Sequence, residues 1–208
     1  MFWPKIVSAA LQPRKRAAVA CASSTSSSLR RLAANAPPRF ALDSPRYAAI
    51  AIRSPVRAWA REEQLEPFDQ ELGTGYLRHL VLREGRNTGQ MLVQLVAAEG
   101  QRFDPEELVE VLRRFPEVRS IHWSVNDSPA EVTNLPTTLL WGEEAIEEEL
   151  CGLRFRVRPN AFLQTNTAMA ERLYGLAGEY AALTGNETVY DLYCGIGTIG
   201  LTLAEKSL

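Results

Sequence analysis

Hydrophobic and polar positions change rhythm several times along the chain. After Pro55, the residues Val56, Trp59 and Ala60 fall on one face at helical spacing, which predicts a helix through "PVRAWAREEQL". The period then drops to two, with Leu77, His79 and Val81 alternating against Arg78, Leu80 and Leu82. A second apolar run, "MLVQLVAA", follows "GRNTGQ", where Gly85, Asn87 and Gly89 supply the turn of a β-hairpin. Asp104 is a good N-cap, Pro105 suits the first helical position, and Leu108, Val111 and Leu112 form an apolar stripe that Pro116 ends. "VRSIHWSV" predicts the next strand, so the unit reads β-β-α-β, closed by "TTLLW" and "LRFRV".

Toward the C-terminus, Thr165 or Thr167 opens a helix that runs to about Leu183, with Gly185 as its stop. Met169, Leu173, Leu176, Ala177 and Tyr180 form its expected apolar stripe. The segment "TVYDLYCGIGTIGLTLA" then reads as a buried strand, a glycine loop and the start of a helix. Gly195, Gly197 and Gly200 have the spacing G-x-G-x-x-G. Glycines let a backbone turn sharply and approach a ligand closely. The helix start offers free N–H groups to an anionic group. Dinucleotides and S-adenosylmethionine are both held by such loops. The dinucleotide reading expects an acid about twenty residues further on, and the sequence stops at Leu208. Asp191, at the end of the expected strand, suits adenosylmethionine better. Gln164 and Asn166, in the polar loop "NAFLQTN", carry amides that both donate and accept.

Charge divides the chain. Residues 1–60 hold ten Lys/Arg and one acid, Asp43, for a net of +9; residues 61–208 hold thirteen Lys/Arg and twenty-four acids, for a net of −11. The first quarter is rich in Ala, Ser and Arg, with poor periodicity. It reads as an organelle transit peptide, as sequence without structural consequence, or as a basic arm for nucleic acid. The expected organisation is a disordered basic leader over 1–54, a central α/β domain over 55–160, and an incomplete second domain over 161–208. No run of about 18 apolar residues exists, which excludes a transmembrane helix. Three scattered cysteines and two distant histidines give neither a disulfide framework nor a metal site.

Other candidates have bland readings beside their functional ones. His79 and His122 lie in strands without a sequence neighbour to make them catalytic, and are expected to be structural. Glu143, Glu144, Glu147, Glu148 and Glu149 are expected to form a solvated acidic face. Arg154, Arg156 and Arg158 share one strand face, which could hold RNA phosphates or simply face water; the second reading is favoured. Cys151 is expected to be a packed small residue.

The pairing of "PNAFLQTNTAMAERLY" with "VYDLYCGIGTIGL" resembles the uracil-C5 RNA methyltransferases, which form 5-methyluridine in ribosomal or transfer RNA. The resemblance runs from about Ala58 to Ala204 and includes "GYLRHLVLREGRNTGQMLV" and "NDSPAEVTNLPTTLLWG". It implies an α/β fold: a mixed central domain followed by the first strand, loop and helix of a Rossmann-type methyltransferase domain. It implies S-adenosyl-L-methionine as cofactor, contacted by Gln164 and Tyr193, with Gly195 and Gly197 shaping the loop. Several relatives carry Asn where this chain has Thr198.

The family's chemistry uses a cysteine thiolate that adds to carbon 6 of uracil, and a base that removes the carbon-5 proton. In the family both lie beyond the glycine loop, so no catalytic residue is assigned here. Cys194 sits inside the loop and is rejected as the nucleophile. The expectation is therefore a fragment, inactive alone, of an enzyme acting on RNA, ribosomal ahead of transfer RNA. It is expected to be cytoplasmic, or organellar if the leader is an address, with neither membrane nor metal as partner. The rival expectations are a non-catalytic RNA-binding remnant and an NAD(P)-binding oxidoreductase fragment.

Overall fold

A computed structural model describes residues 45–100 and 102–204. Its first element, α1 (Pro45–Glu62), starts ten residues ahead of the expected boundary. The leader assignment thus fails for 45–54, where Ile52 is fully buried; the remainder of that assignment, residues 1–44, lies outside the described residues. Ile52, Val56, Trp59 and Ala60 recur at helical spacing and are all buried, so the apolar face begins before Pro55.

Four strands follow in one sheet: β1 (Leu77–Gly85), β2 (Gln90–Ala97), β3 (Val118–Val125) and β4 (Thr138–Gly142), in spatial order β1-β2-β3-β4. The β1–β2 hairpin is antiparallel through the expected turn. The pairing of β2 with β3 is parallel, because α2 (Pro105–Leu112) crosses between them. Asp104 caps α2 as expected, its carboxylate accepting from the Glu106 N–H.

Helices α1 and α2 cover one face of the sheet. Met91, Val93, Leu95 and Ala97 of β2 point toward them and join Leu108, Leu112, Val118 and Ile121 in the main core. Phe103 sits among aromatic neighbours, edge-on to Trp59 at 5.5 Å and to Trp123 at 5.7 Å between ring centres. Leu92 points the other way and packs with Ile146 and Val157. β2 is buried on both faces, which explains why it reads as a nearly continuous apolar run.

"LRFRV" does not close the four-stranded sheet. It forms β6 (Leu153–Val157), paired with β5 (Ile146–Leu150) in a separate antiparallel hairpin. The connection is Cys151-Gly152, with φ of 52° and 77°. Positive φ at both central residues is what a type I′ turn requires. Cys151 is therefore a turn residue, half-buried beside Leu150 and Phe155.

β5 also corrects the acidic-face expectation. Strand alternation turns Ile146, Glu148 and Leu150 inward, so Glu148 is 0 % exposed. Its carboxylate is fully used. It accepts from the Arg86 and Asn87 N–H groups at 2.7 and 3.0 Å, from the Glu149 N–H at 2.8 Å, and from the Thr167 hydroxyl at 2.9 Å. One side chain thus ties the β1–β2 turn, the β5–β6 hairpin and the next helix together.

That helix, α3 (Thr167–Ala181), is capped by Asn166 rather than by either threonine; its Oδ1 accepts from the Met169 N–H. The buried face is Thr167, Ala170, Tyr174 and Gly178. The predicted stripe points outward instead, with Leu173, Leu176 and Tyr180 exposed. Periodicity located the helix but not the side that packs. The short α4 (Thr198–Ala204) closes the described chain.

Candidate cofactor loop

The glycine loop rests on a small apolar cluster. Ile196 packs against Leu150, Phe155, Ala170 and Tyr174, which belong to the hairpin and α3. Two hydrogen bonds fix it. The Tyr174 hydroxyl and the Thr198 Oγ1 lie 3.1 Å apart in the interior, joining α3 to the first residue of α4. Thr198 therefore has a definite structural role. Asp191 Oδ2 accepts from the Gly200 N–H at 2.9 Å. A Cβ on Gly200 would lie 2.9 Å from that oxygen and 3.1 Å from the Asp191 Cβ, so a larger residue there would push the Asp191 side chain aside.

Between these anchors the backbone turns through positive φ at Tyr193, Gly195 and Gly197 (67°, 59° and 81°). The Gly197 N–H donates to the Cys194 carbonyl at 2.8 Å, closing the turn. A Cβ on Gly195 would meet no protein atom within 4 Å. The space above it is left open by the chain itself. Tyr193 is wholly exposed and Cys194 is exposed beside it.

The expected buried strand before the loop is absent. Residues 188–190 run as exposed chain, with no β-partner among the described residues. A strand is defined by hydrogen bonds to a neighbour, and local sequence does not supply the neighbour.

Gln164 stands half-buried, three residues before α3. No hydrogen bond joins it to Tyr193, Gly195 or Gly197 among the described residues. Its loop is nonetheless held. The Arg83 guanidinium, from β1, donates to the Ala161 carbonyl at 2.6 Å, and burial lowers the pKa of that arginine. The Asn160 amide donates to the Leu135 carbonyl at 2.7 Å. Sequence alone gave Arg83 no special role, because its acceptor lies seventy-eight residues away in the chain.

The histidines are buried and structural in setting. His122 Nε2 lies 2.8 Å from the Ser120 hydroxyl. Burial pushes the pKa of both His79 and His122 below the ordinary value. Burial also pushes the Cys151 thiol up, away from thiolate character. Among the described residues no group of three or more His, Cys, Asp or Glu is arranged to hold a metal ion.

No family model matches the chain. Its sequence is 39 % identical over 170 residues to an uncharacterised RNA methyltransferase of Enterococcus faecalis, covering 81 % of this chain and 37 % of that protein. An uncharacterised RNA methyltransferase of Streptococcus mutans is 39 % identical over 153 residues, covering 73 % and 34 %. Among solved structures, the tRNA (uracil-54, C5)-methyltransferase of Pyrococcus abyssi, in complex with S-adenosyl-L-homocysteine, superposes with a TM-score of 0.61 at 33 % identity, covering 73 % of this chain and 36 % of that one. Over the matched span the chain is similar to RNA methyltransferases, and its solved neighbour is a uracil-C5 enzyme. The chain spans about a third of the length of the relatives it matches. Its own fold is mixed α/β, with the sheet unit placed ahead of the glycine loop.

Proposed function

We propose that this chain is the part of an RNA methyltransferase that receives S-adenosyl-L-methionine, for methyl transfer to carbon 5 of uracil in RNA. The observation that carries the reading is the loop from Asp191 to Gly200. It is anchored at both ends, turns through positive φ, and leaves open space over Gly195. A loop shaped this way fits close approach of a bulky ligand, and the structural neighbour was solved with adenosylhomocysteine. Tyr193, Gly195 and Gly197 would face the cofactor, with Gln164 contributing from the loop that Arg83 holds. When bound, adenosylmethionine supplies an electrophilic methyl group; the residues named here bind and orient it.

We also propose that the 208 residues do not turn over alone. The reaction needs a thiolate at carbon 6. Cys151 is locked in a turn with its thiol pushed up, and Cys194 lies in the cofactor loop with its Sγ 3.7 Å from the Gly195 carbonyl.

Calorimetric titration with adenosylhomocysteine tests the cofactor site. Binding is expected, weakened tenfold or more by Gly195→Val and by Tyr193→Ala. Binding of NADH with indifference to adenosylhomocysteine would overturn the reading in favour of a dinucleotide protein. Transfer of tritiated methyl to RNA by the chain alone would overturn the second proposal. Supplying unmodified ribosomal and transfer RNA separately to a full-length relative carrying this segment decides between the two RNA classes.

A further inference from the structure

Two arginine stripes lie on the surface, and they differ in what surrounds them. Arg154, Arg156 and Arg158 share one face of β6, but glutamates stand opposite. Arg154 pairs with Glu147 at 3.5 Å and Arg158 with Glu144 at 3.1 Å. In the β5–β6 register Glu147 faces Arg156 and Glu149 faces Arg154. That face is close to neutral.

The second stripe is on α1. Arg53, Arg57 and Arg61 recur every four residues, so they line one side of the helix. At 1.5 Å per residue, their Cα atoms stand about 6 Å apart along the axis. All three are exposed, and none makes an ion pair among the described residues. The helix cannot rotate to hide them, because Ile52, Val56, Trp59 and Ala60 fix its other side in the core. Arg53 and Arg57 also border a shallow apolar crevice, floored by Leu77, Leu80 and Leu95. Three guanidiniums without an ion pair among the described residues, in a row on a rigid helix of a chain whose residues 61–208 are net acidic, form a local positive ridge. Arginine is suited to phosphate because its planar fork donates two parallel hydrogen bonds.

We propose that Arg53, Arg57 and Arg61 of α1 form a docking surface for the sugar-phosphate backbone of single-stranded RNA. The inference rests on the RNA methyltransferase reading. It adds a positioning surface on a different element from the glycine loop, and it moves the RNA footprint away from the β6 arginines. Such a surface sets orientation without reading sequence.

The test uses the whole 208-residue chain and a fluorescein-labelled oligouridine, titrated by anisotropy at several salt concentrations. The triple variant Arg53→Ala, Arg57→Ala, Arg61→Ala is expected to bind at least tenfold more weakly. Its slope of log affinity against log salt should fall by about 2, since each single-strand phosphate no longer neutralised removes roughly 0.7. The triple lysine variant should recover most of the affinity. The variant Arg154→Ala, Arg156→Ala, Arg158→Ala should stay within twofold of the parent. Adenosylhomocysteine titration of each variant separates the two claims. Unchanged RNA affinity and slope in the α1 alanine variant, with cofactor binding intact, overturns the ridge and leaves the methyltransferase reading standing. The same holds if the parent binds no RNA, or if the β6 variant shows the larger loss. RNA binding lost with the ridge while the parent ignores adenosylhomocysteine supports the ridge and sinks the cofactor reading.

Discussion

Leu112 in α2 and Leu176 in α3 are the same side chain in the same kind of element. One is sealed in the core; the other is 45 % exposed. The contrast extends to their surroundings. The sheet unit is held by burial, with two helices and an aromatic group around Phe103 on one face of β2. The segment from Asn160 onward buries little, and is positioned by directed polar contacts: Glu148 to Thr167, Tyr174 to Thr198, Asp191 to Gly200. Apolar burial is strong but indifferent to angle, whereas hydrogen bonds are weaker and fix geometry. A scaffold gains from the first, and a loop that must present its backbone to a ligand needs the second.

The sharpest attack on this contrast is Leu112→Ala. It should cost about 2–5 kcal/mol of stability in urea denaturation, as truncations of sealed core residues do; a loss below about 1 kcal/mol would mean that the core is looser than described. Glu148→Ala comes next. It strands three backbone N–H groups and a hydroxyl, and roughly 2–3 kcal/mol is expected, given about 1–3 kcal/mol for an unsatisfied buried group. Amide exchange at Arg86 and Asn87 should accelerate in that variant, and unchanged exchange there would show that the carboxylate is not their acceptor.

Acid titration has a smaller effect, of known sign. His79 and His122 have folded pKa values held below the ordinary one by burial. The unfolded chain therefore takes up their protons first as pH falls. Their contribution is complete above about pH 6.5 and is lost as pH drops through that value toward the folded pKa values, by at most about 1.4 kcal/mol per unit for each histidine. A urea midpoint that stays flat from about pH 7.5 to 5.5 contradicts this. The smallest effect belongs to Leu176→Ala, which should stay within about 0.5 kcal/mol, as for an exposed position. A loss of about 2 kcal/mol would mean that the α3 stripe is covered in solution.

The sequence was most readable where structure is local. Asp104 and Pro105 started α2 where expected, because a cap and a fixed φ act within four residues. The β1–β2 turn was equally legible from Gly85, Asn87 and Gly89. Failures came where the deciding partner is distant. Glu148 looked like one acid in a run of five, since its donors come from Arg86, Asn87 and Thr167 as well as from its neighbour. The α3 stripe and the strand before the loop were assigned a packed side and a pairing that depend on neighbours, not on the segments themselves. In the site, the loop's glycines were visible from spacing alone. The reason for Gly200 was not, because it lies in the Asp191 side chain. The α1 arginines were missed because Arg53 fell inside a stretch set aside as leader.

The four donors to Glu148 also couple distant parts of the chain. They lie at residues 86, 87, 149 and 167, so the carboxylate keeps its water until chain segments some eighty residues apart have all arrived. Desolvating it early leaves an ion short of partners, which is costly. During synthesis the β1–β2 hairpin can pair long before Thr167 exists, but its turn cannot be sealed. Docking of the glycine-loop segment and sealing of the β1–β2 turn are thereby coupled through one carboxylate.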